Sequence, residues 1–301
     1  MKPKVALTRG KNRTENIDAA LELIDGDIDL KGKSDLFIKV NFVSTSNQLA
    51  ATHVDGVRGL LAFLRERYTG KITIGESTLG PARDGFERYG YLGLEKEFGV
   101  KLVDLNQEDW KIVDLYDKDL GPMPLHFSRR VIESDYRISI GPSKTHDTVI
   151  VTLSLKNLSM GGLSHDHGDK RSMHQGYPVM NLNLYILAKL FPPHLSVIDG
   201  FTGMEGEGPG LGDPVDWGVA VASCDPVAAD SLTAHLMGFN PAEIGYLWYC
   251  HKMGLGVGDI GGMDILGADP ADLYHKYKPH PEYEEQKQWH DPDVEKLVEK
   301  M

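Results

Sequence analysis

The sequence predicts an α/β protein, a mixed and mainly parallel sheet flanked by helices in three layers. Three observations predict it. Short β-branched runs alternate with stretches of helical period through the first hundred residues, the rhythm of parallel strands covered by helices. Helices in the second half are framed by Pro at their start and Gly after their end. Several apolar runs close on unusual polar clusters, as at strand ends that face a ligand crevice.

Taken in order, VALTRG (5–10) reads as a strand and ENIDAALELI (15–24) as a helix. DLFIKVNFV (35–43) is a strand ending in a polar loop, and VDGVRGLLAFLRERY (54–68) is an amphipathic helix with Thr52 as its cap. KITIGEST (71–78) and VKLVDLN (100–106) are strands, with LEKEFG (94–99) between them ending a helix at glycine. Residues 107–130 read as a meander. YRISIGPSKTH (136–146) is a strand running into a loop, and VIVTLSLKNLSMGG (149–162) is apolar, then polar and glycine-rich. VMNLNLYILAKLF (179–191) is a helix stopped by Pro192-Pro193. LSVIDGFTGM (195–204) and WGVAVASCD (217–225) are buried strands. PVAADSLTAHLMG (226–238) and PAEIGYLWYCHKMG (241–254) are helices.

A length of 301 residues suits a single α/β unit over 1–301. The alternative is two intertwined lobes, about 1–125 and 126–267, and in either case a wrapping segment covers 268–301. The net charge of −12 argues against a nucleic-acid partner, which needs a basic footprint. It leaves room for a small anionic molecule, because a local Lys/Arg cluster can sit inside an acidic protein. No run reaches the roughly 18 apolar residues of a membrane span, and no leader-like segment opens the chain. The expectation is a cytoplasmic protein without a membrane partner. Cys224 and Cys250 are read as buried thiols, and no CxxC spacing offers an iron–sulfur cluster. The aromatic C-terminal stretch packs on its own domain or on a second copy, so a homo-oligomer stays open.

LSHDHGDKRSMHQG (163–176) spends three of the chain's 12 histidines on a polar segment. His165 and His167, spaced i, i+2, share a face if the segment is extended. His174 reaches the same point if it folds back. Neutral imidazole is the commonest metal-binding side chain, but no HExxH spacing is present. KTH (144–146) offers an anion clamp and a ligand or base, or is a plain surface loop. Lys156 in LKN (155–157) either snorkels or is held by a ligand, and burial would lower its pKa. IDGFTGMEGEGPGLGDP (198–214) sets four acids among six glycines. The acids argue against a phosphate cradle, and Asp199, Glu205 and Glu207 are metal ligands, partners of ligating histidines or an acidic surface. Asp225 caps the helix that follows. Asp230 lies one turn further in. No GxSxG occurs, so a nucleophilic triad has no support.

Together IKVN (38–41), IGEST (74–78), GPSKTH (141–146), VTLSLKN (151–157), the Lys170/His174 pair, IDGFTGMEGEGPGLGDP and CDPVAADSLTAHLMG (224–238) resemble the domain-of-unknown-function family three-six-two, over about residues 35–267. MEGEGP and DPVAAD are its most specific matches. The resemblance implies polar positions at Lys39, Asn41, Glu76, Lys144, His146, Lys156, Asn157, His174, Asp199 and Glu205. Some members carry a cysteine-rich ferredoxin-like module. This chain lacks the motif, so no iron–sulfur cluster is expected.

The function expected from these readings is a metal-dependent enzyme acting on a small anionic (carboxylate or phosphate) metabolite by hydrolase, lyase or isomerase chemistry. Lys144, Lys156 and His146 are the catalytic candidates. Lys39, Asn41, Glu76, Asn157 and Lys170 are the substrate-binding candidates. His146, His174, Asp199, Glu205 and Glu207 would hold a divalent metal ion (Zn, Fe, Mn or Ni), with His165 and His167 accessory. The alternative is a non-catalytic anion- or metal-binding protein. A weaker one is racemase-like chemistry with an organometallic cofactor, as in the nickel-pincer lactate racemase family, for which there is no motif-level match.

Overall fold

The computed structural model describes residues 2–301. In chain order β1 (Lys4–Arg9) and α1 (Arg13–Leu23) lead to β2 (Asp35–Lys39), α2 (Val54–Arg67), β3 (Lys71–Glu76), α3 (Ala82–Arg88), α4 (Leu92–Phe98) and β4 (Lys101–Asp104). β5 (Trp110–Tyr116) and β6 (Pro122–Ser128) form a separate two-stranded hairpin where a meander was expected. Then come α5 (Arg129–Glu133), β7 (Tyr136–His146), β8 (Ile150–Thr152), α6 (Ser154–Gly162), α7 (Asp169–Ser172) and α8 (Tyr177–Leu190). β9 (Leu195–Glu205), β10 (Asp213–Ser223), α9 (Pro226–Leu236), α10 (Gly245–Lys252) and β11 (Asp264–Gly267) follow.

Among the described residues the main sheet has nine strands, in the order β11-β1-β10-β9-β7-β2-β3-β4, with β8 paired to β7 off that path. β4, β3, β2, β7 and β9 are parallel neighbours. β10 runs against β9 and β1, and β11 is parallel to β1. The sheet is thus mixed and mainly parallel, with helices on both faces. Side-chain alternation along β2 shows the two layers. Leu36 and Ile38 join the core under α1 and α2, with Ile17, Leu60 and Leu64. Phe37 joins the core under α6 to α10, with Leu158, Leu182 and Leu232.

Local chemistry explains most boundaries. Asn12 caps α1 by accepting from Glu15 N, and Gly99, at φ 63°, ends α4 in the left-handed conformation glycine tolerates. Asp225 caps α9 by accepting from Val227 N and Ala228 N, as expected. Three expectations are corrected. α2 is capped by His53, because Thr52 is fully buried and occupied, accepting from Asn41 N and donating to Ile140 O. The helix placed at 241–254 begins at Gly245, since Pro241–Glu243 forms a 3-10 turn. Most of the glycine-rich stretch 198–214 is strand, because β9 and β10 stay paired from Ser196/Ser223 to Glu205/Asp213 and leave 206–212 as the loop. Cys250 is buried as expected, but Cys224 is only partly so. No helix among the described residues is long and apolar enough to cross a membrane.

One feature of the topology positions the site. From β2 the chain proceeds to β3 and β4 on one side, and from β7 to β9 on the other. β2 and β7 are neighbours, so their carboxyl ends flank the point where the winding reverses. That point opens a crevice in doubly wound sheets.

Candidate functional site: a lysine- and histidine-lined cavity

A cavity of about 250 Å³ lies at that crevice. Lys39 and Asn41 enter from the end of β2, Glu76 and Ser77 from β3, and His146 and Asp147 from β7. α6 contributes Lys156, Asn157 and Gly161, and the histidine-rich segment contributes His165, Lys170 and His174. The sequence had scattered these residues over 136 positions. The sheet brings all five substrate-binding candidates to one wall.

Lys39 and Glu76 form a buried ion pair in the lining. Lys39 Nζ donates to Glu76 Oε1 at 2.6 Å, and Glu76 also accepts from Ser77 N at 2.8 Å and Phe42 N at 2.6 Å. Burial pushes the Lys39 pKa down and Glu76 pulls it back up. With Val40 O and Asn157 Oδ1 as further acceptors, Lys39 has no donor left for a ligand. An amide relay stands beside it. Lys144 Nζ donates to Asn41 Oδ1 at 2.7 Å, and Asn41 Nδ2 donates to Asn157 Oδ1 at 3.1 Å. Asn157 Nδ2 is spent on Ser139 Oγ at 3.0 Å and on two backbone carbonyls.

Lys156 is different. It is 6% exposed, lines the cavity, and has no hydrogen-bond or ion-pair partner among the described residues. Desolvation lowers its pKa to about 8, offset in part by the Asp147 charge. Lys170, donating to Ser77 O, is brought to about 8, again mainly by burial. Thr152 Oγ1, also in the wall, is buried without a partner. The cavity therefore offers unused donors and surplus positive charge inside an acidic protein.

Of the three cavity histidines, His146 and His174 have hydrogen bonds at Nδ1 that favour one tautomer. His174 Nδ1 lies 2.8 Å from Lys170 O, a pure acceptor, so Nδ1 carries the proton and Nε2 the lone pair. His146 Nδ1 accepts from Thr148 N at 2.9 Å, which puts its proton on Nε2. Asp147 Oδ1 is 3.0 Å from the same Nδ1, an acceptor that a proton on Nδ1 would meet instead. Burial and then the Lys156 charge push the His146 pKa down to about 3, so the ring is neutral, and burial also lowers that of His174. His146, Asp147 and His174 present ligand atoms that all lie within 4.8 Å of one another.

Several sequence expectations are corrected here. Lys144 does not line the cavity; it is fully buried behind Asn41, where its pKa falls to about 7 through burial and the Lys156 charge. Asp199 lies on the opposite face of the sheet. Its carboxylate pairs with Arg13 at 3.1 Å and packs against α2 at Gly56, where a Cβ would meet Asp199 Oδ2 at 2.8 Å. Burial raises its pKa against the pull of Arg13. Glu205 is spent on Lys278 N at 2.8 Å, and Glu207 is exposed on the 206–212 loop. None of these three acids lines the cavity. His165 and His167 do not share a face, because residues 165–168 form a turn closed by Gly168 N to His165 O at 2.8 Å. His165 stays in the wall, and His167 stacks on His126 at 3.8 Å. Sequence reasoning missed Asp147, although its place directly after His146 was a usable signal. It also missed Thr152, for which no signal existed.

Comparison with known proteins gives three findings. The family model described as Domain of unknown function (DUF362) matches residues 36–235. A thylakoid-associated protein of Synechocystis sp. is 28% identical over 202 residues, which are 65% of this chain. The match spans 60% of that relative's length. The structure of the lactate racemase apoprotein from Thermoanaerobacterium thermosaccharolyticum aligns with a TM-score of 0.46 and 9% identity, covering 79% of this chain and 57% of that one. A likeness of that degree carries no argument about the site.

Proposed function

The chain belongs to the Domain of unknown function (DUF362) family, and from that premise we propose that the cavity is the active site of an enzyme that performs metal-assisted acid–base chemistry on a small anionic metabolite. The observation that carries the reading is Lys156, an amine 6% exposed and without a protein partner beside two neutral histidines. A buried ammonium is costly unless something pairs with it, and an anionic ligand would do so. Lys170 and the second N–H of Asn41 supply further donors. The free Nε2 lone pair of His174 serves as a metal ligand or, without metal, as the base. Two free thiols fit a cytoplasmic enzyme.

A divalent metal would be held by His146, Asp147 and His174. It would polarise a carbonyl or lower the pKa of a bound water. His174 and Asp147 fit that role as they stand, whereas His146 must release its hydrogen bond from Thr148 N or move its ring proton. That hydrogen bond favours a second reading without metal, in which His146 Nε2–H donates to the substrate and His174 Nε2 accepts its proton. The two tautomers are complementary for such a transfer.

Elemental analysis of tag-free protein and of a His146→Ala/His174→Ala variant separates the readings. Near-stoichiometric metal in the parent, lost from a still-folded variant, is expected for the metal site. No metal in either after reconstitution overturns it and leaves the metal-free pair. Orthophosphate and acetate titrations of parent and Lys156→Met then test the anion site itself. Equal binding by both would exclude Lys156 as its anchor, and binding without any turnover across screened carboxylates and phosphates would leave a binding protein.

A further inference from the structure

We infer that the ligand of this cavity is an amphiphilic anion, a small anionic head bearing an apolar group, a reading that rests on the anion site proposed above. The floor and the mouth of the cavity differ in chemistry. The floor holds the unpartnered Lys156 and Thr152 Oγ1, with Lys170 and Asn41. The mouth is lined by Val43, Leu79, Met160 and Pro209. Leu211 follows Pro209 by two residues in the same loop.

Three of these side chains are exposed: Leu211 at 83% and Leu79 at 72%, the two most exposed large hydrophobics of the described residues, and Val43 at 41%. A single exposed leucine needs no explanation. Here Val43, following β2, and Leu79, following β3, both line the opening, and Leu211 belongs to the β9–β10 loop that carries the lining residue Pro209. Hydrogen bonds tie the segments together. Thr78 Oγ1 donates to Phe42 O at 2.9 Å, which holds the Leu79 segment beside Val43. Asn47 Nδ2 donates to Gly210 O at 3.0 Å, and Thr145 Oγ1 donates to Gly206 O at 3.0 Å. A Cβ at Gly210 would lie 3.7 Å from Val43 Cγ1, so the 206–212 loop lies against the same rim.

A wholly polar metabolite would fill the floor and leave this rim in water. A ligand with a hydrocarbon or aromatic substituent would be met by both, with the head on Lys156 and Lys170 and the substituent crossing Val43, Leu79 and Pro209. A cavity of about 250 Å³ takes the head and the first carbons, and the rim covers those that follow. Carboxylate and phosphate heads share this chemistry.

Calorimetric titration with acetate, butyrate, hexanoate and octanoate tests the inference, with orthophosphate and hexyl phosphate as a second series. In the parent each added methylene is expected to raise affinity about two- to fourfold, the range from partial to full burial of a CH₂. Leu79→Ser/Leu211→Ser should flatten that dependence and leave acetate within about twofold, as expected of a purely apolar contribution. Leu190→Ser, which removes a leucine exposed at 48% far from the mouth, should change neither. Lys156→Met should weaken short and long chains alike. The inference is overturned if acetate binds but chain length has no effect, or if the rim variant weakens acetate as much as octanoate. It is also overturned if the rim variant turns a dimer into a monomer by light scattering, because the rim then serves a second copy. If neither acetate, octanoate nor orthophosphate binds the parent, the anion site itself fails.

Discussion

Lys144 shows how much one side chain can do without touching a ligand. An ammonium only donates, so its contact with Asn41 Oδ1 fixes which way the amide points. The Asn41 NH₂ is thereby turned toward Asn157 and the cavity. Lys144→Met should remove that constraint while leaving the cavity lining intact, and lower acetate affinity by about fivefold, the scale of one hydrogen bond. An effect as large as that of Lys156→Met would mean that Lys144 contacts the ligand itself. The same substitution has a pH signature. Lys144 falls from 10.5 to about 7 on folding, so between those values the unfolded chain holds more protons than the native one. Stability then rises with pH across that window, and this contribution is lost as pH falls through about 7. The parent should gain on Lys144→Met by at most ~1.4 kcal/mol per pH unit between pH 7 and 9 in denaturant titrations. A difference that stays constant over this range would mean that Lys144 keeps an ordinary pKa.

At the scale of elements, α6 is the part that must be held still, since it carries Lys156 and Asn157. Its N-terminus is buried and has no cap of its own. Asp230, reaching across from α9, accepts from Ser154 N and Leu155 N at 2.9 Å each. Asp230→Ala would leave both amides unmet and cost about 2–4 kcal/mol, with anion affinity falling as α6 frays. Asp230→Asn keeps one acceptor and should lie between. Unfolding curves in which Asp230→Ala matches the parent would remove this role. Burial raises the Asp230 carboxyl to about 7, so its contribution is greatest at low pH and declines as pH rises toward that value, a slope that Asp230→Asn should abolish. Further along α6, a Cβ at Gly161 would overlap Lys39 Cε, so the helix can lie over the Lys39–Glu76 pair only with glycine there. These facts mark the limit of what the sequence allowed. The strands were legible because their polar ends interrupt β-branched runs, but β7 stays strand through Lys144–His146, paired with β8, where a loop was read. Glu76 and Asp199 looked alike as strand-end acids. What separates them is the face of the sheet on which each lands, which depends on strand order and on the shift in β9 pairing after Pro142. Neither is encoded near either residue. Asp230 gave no hint of its partner, because that partner lies 75 residues upstream.

On the scale of the whole molecule, two fields of opposite sign act on an approaching anion. The chain carries a net charge of −12, so the protein repels an anion at long range. The cavity at the β2/β7 crevice is locally positive, and its charges are buried. Salt discriminates between the two, because exposed charges are screened within a Debye length of ~30 Å at ~10 mM and ~8 Å at ~150 mM, whereas buried charges are screened far less. Raising ionic strength over that range should therefore speed association of an anion with the parent and leave its dissociation nearly unchanged. Stopped-flow measurement with hexanoate, in chloride and again in a bulkier anion to control for competition, would show it. The opposite result, slower association with salt, would mean that positive surface charge steers the ligand. The cavity would then extend to exposed lysines outside the wall described above. The expected sign follows from placement: a topological switch point puts the functional cations of an acidic α/β protein inside the sheet's edge, where its overall charge can select against approach without weakening what is bound.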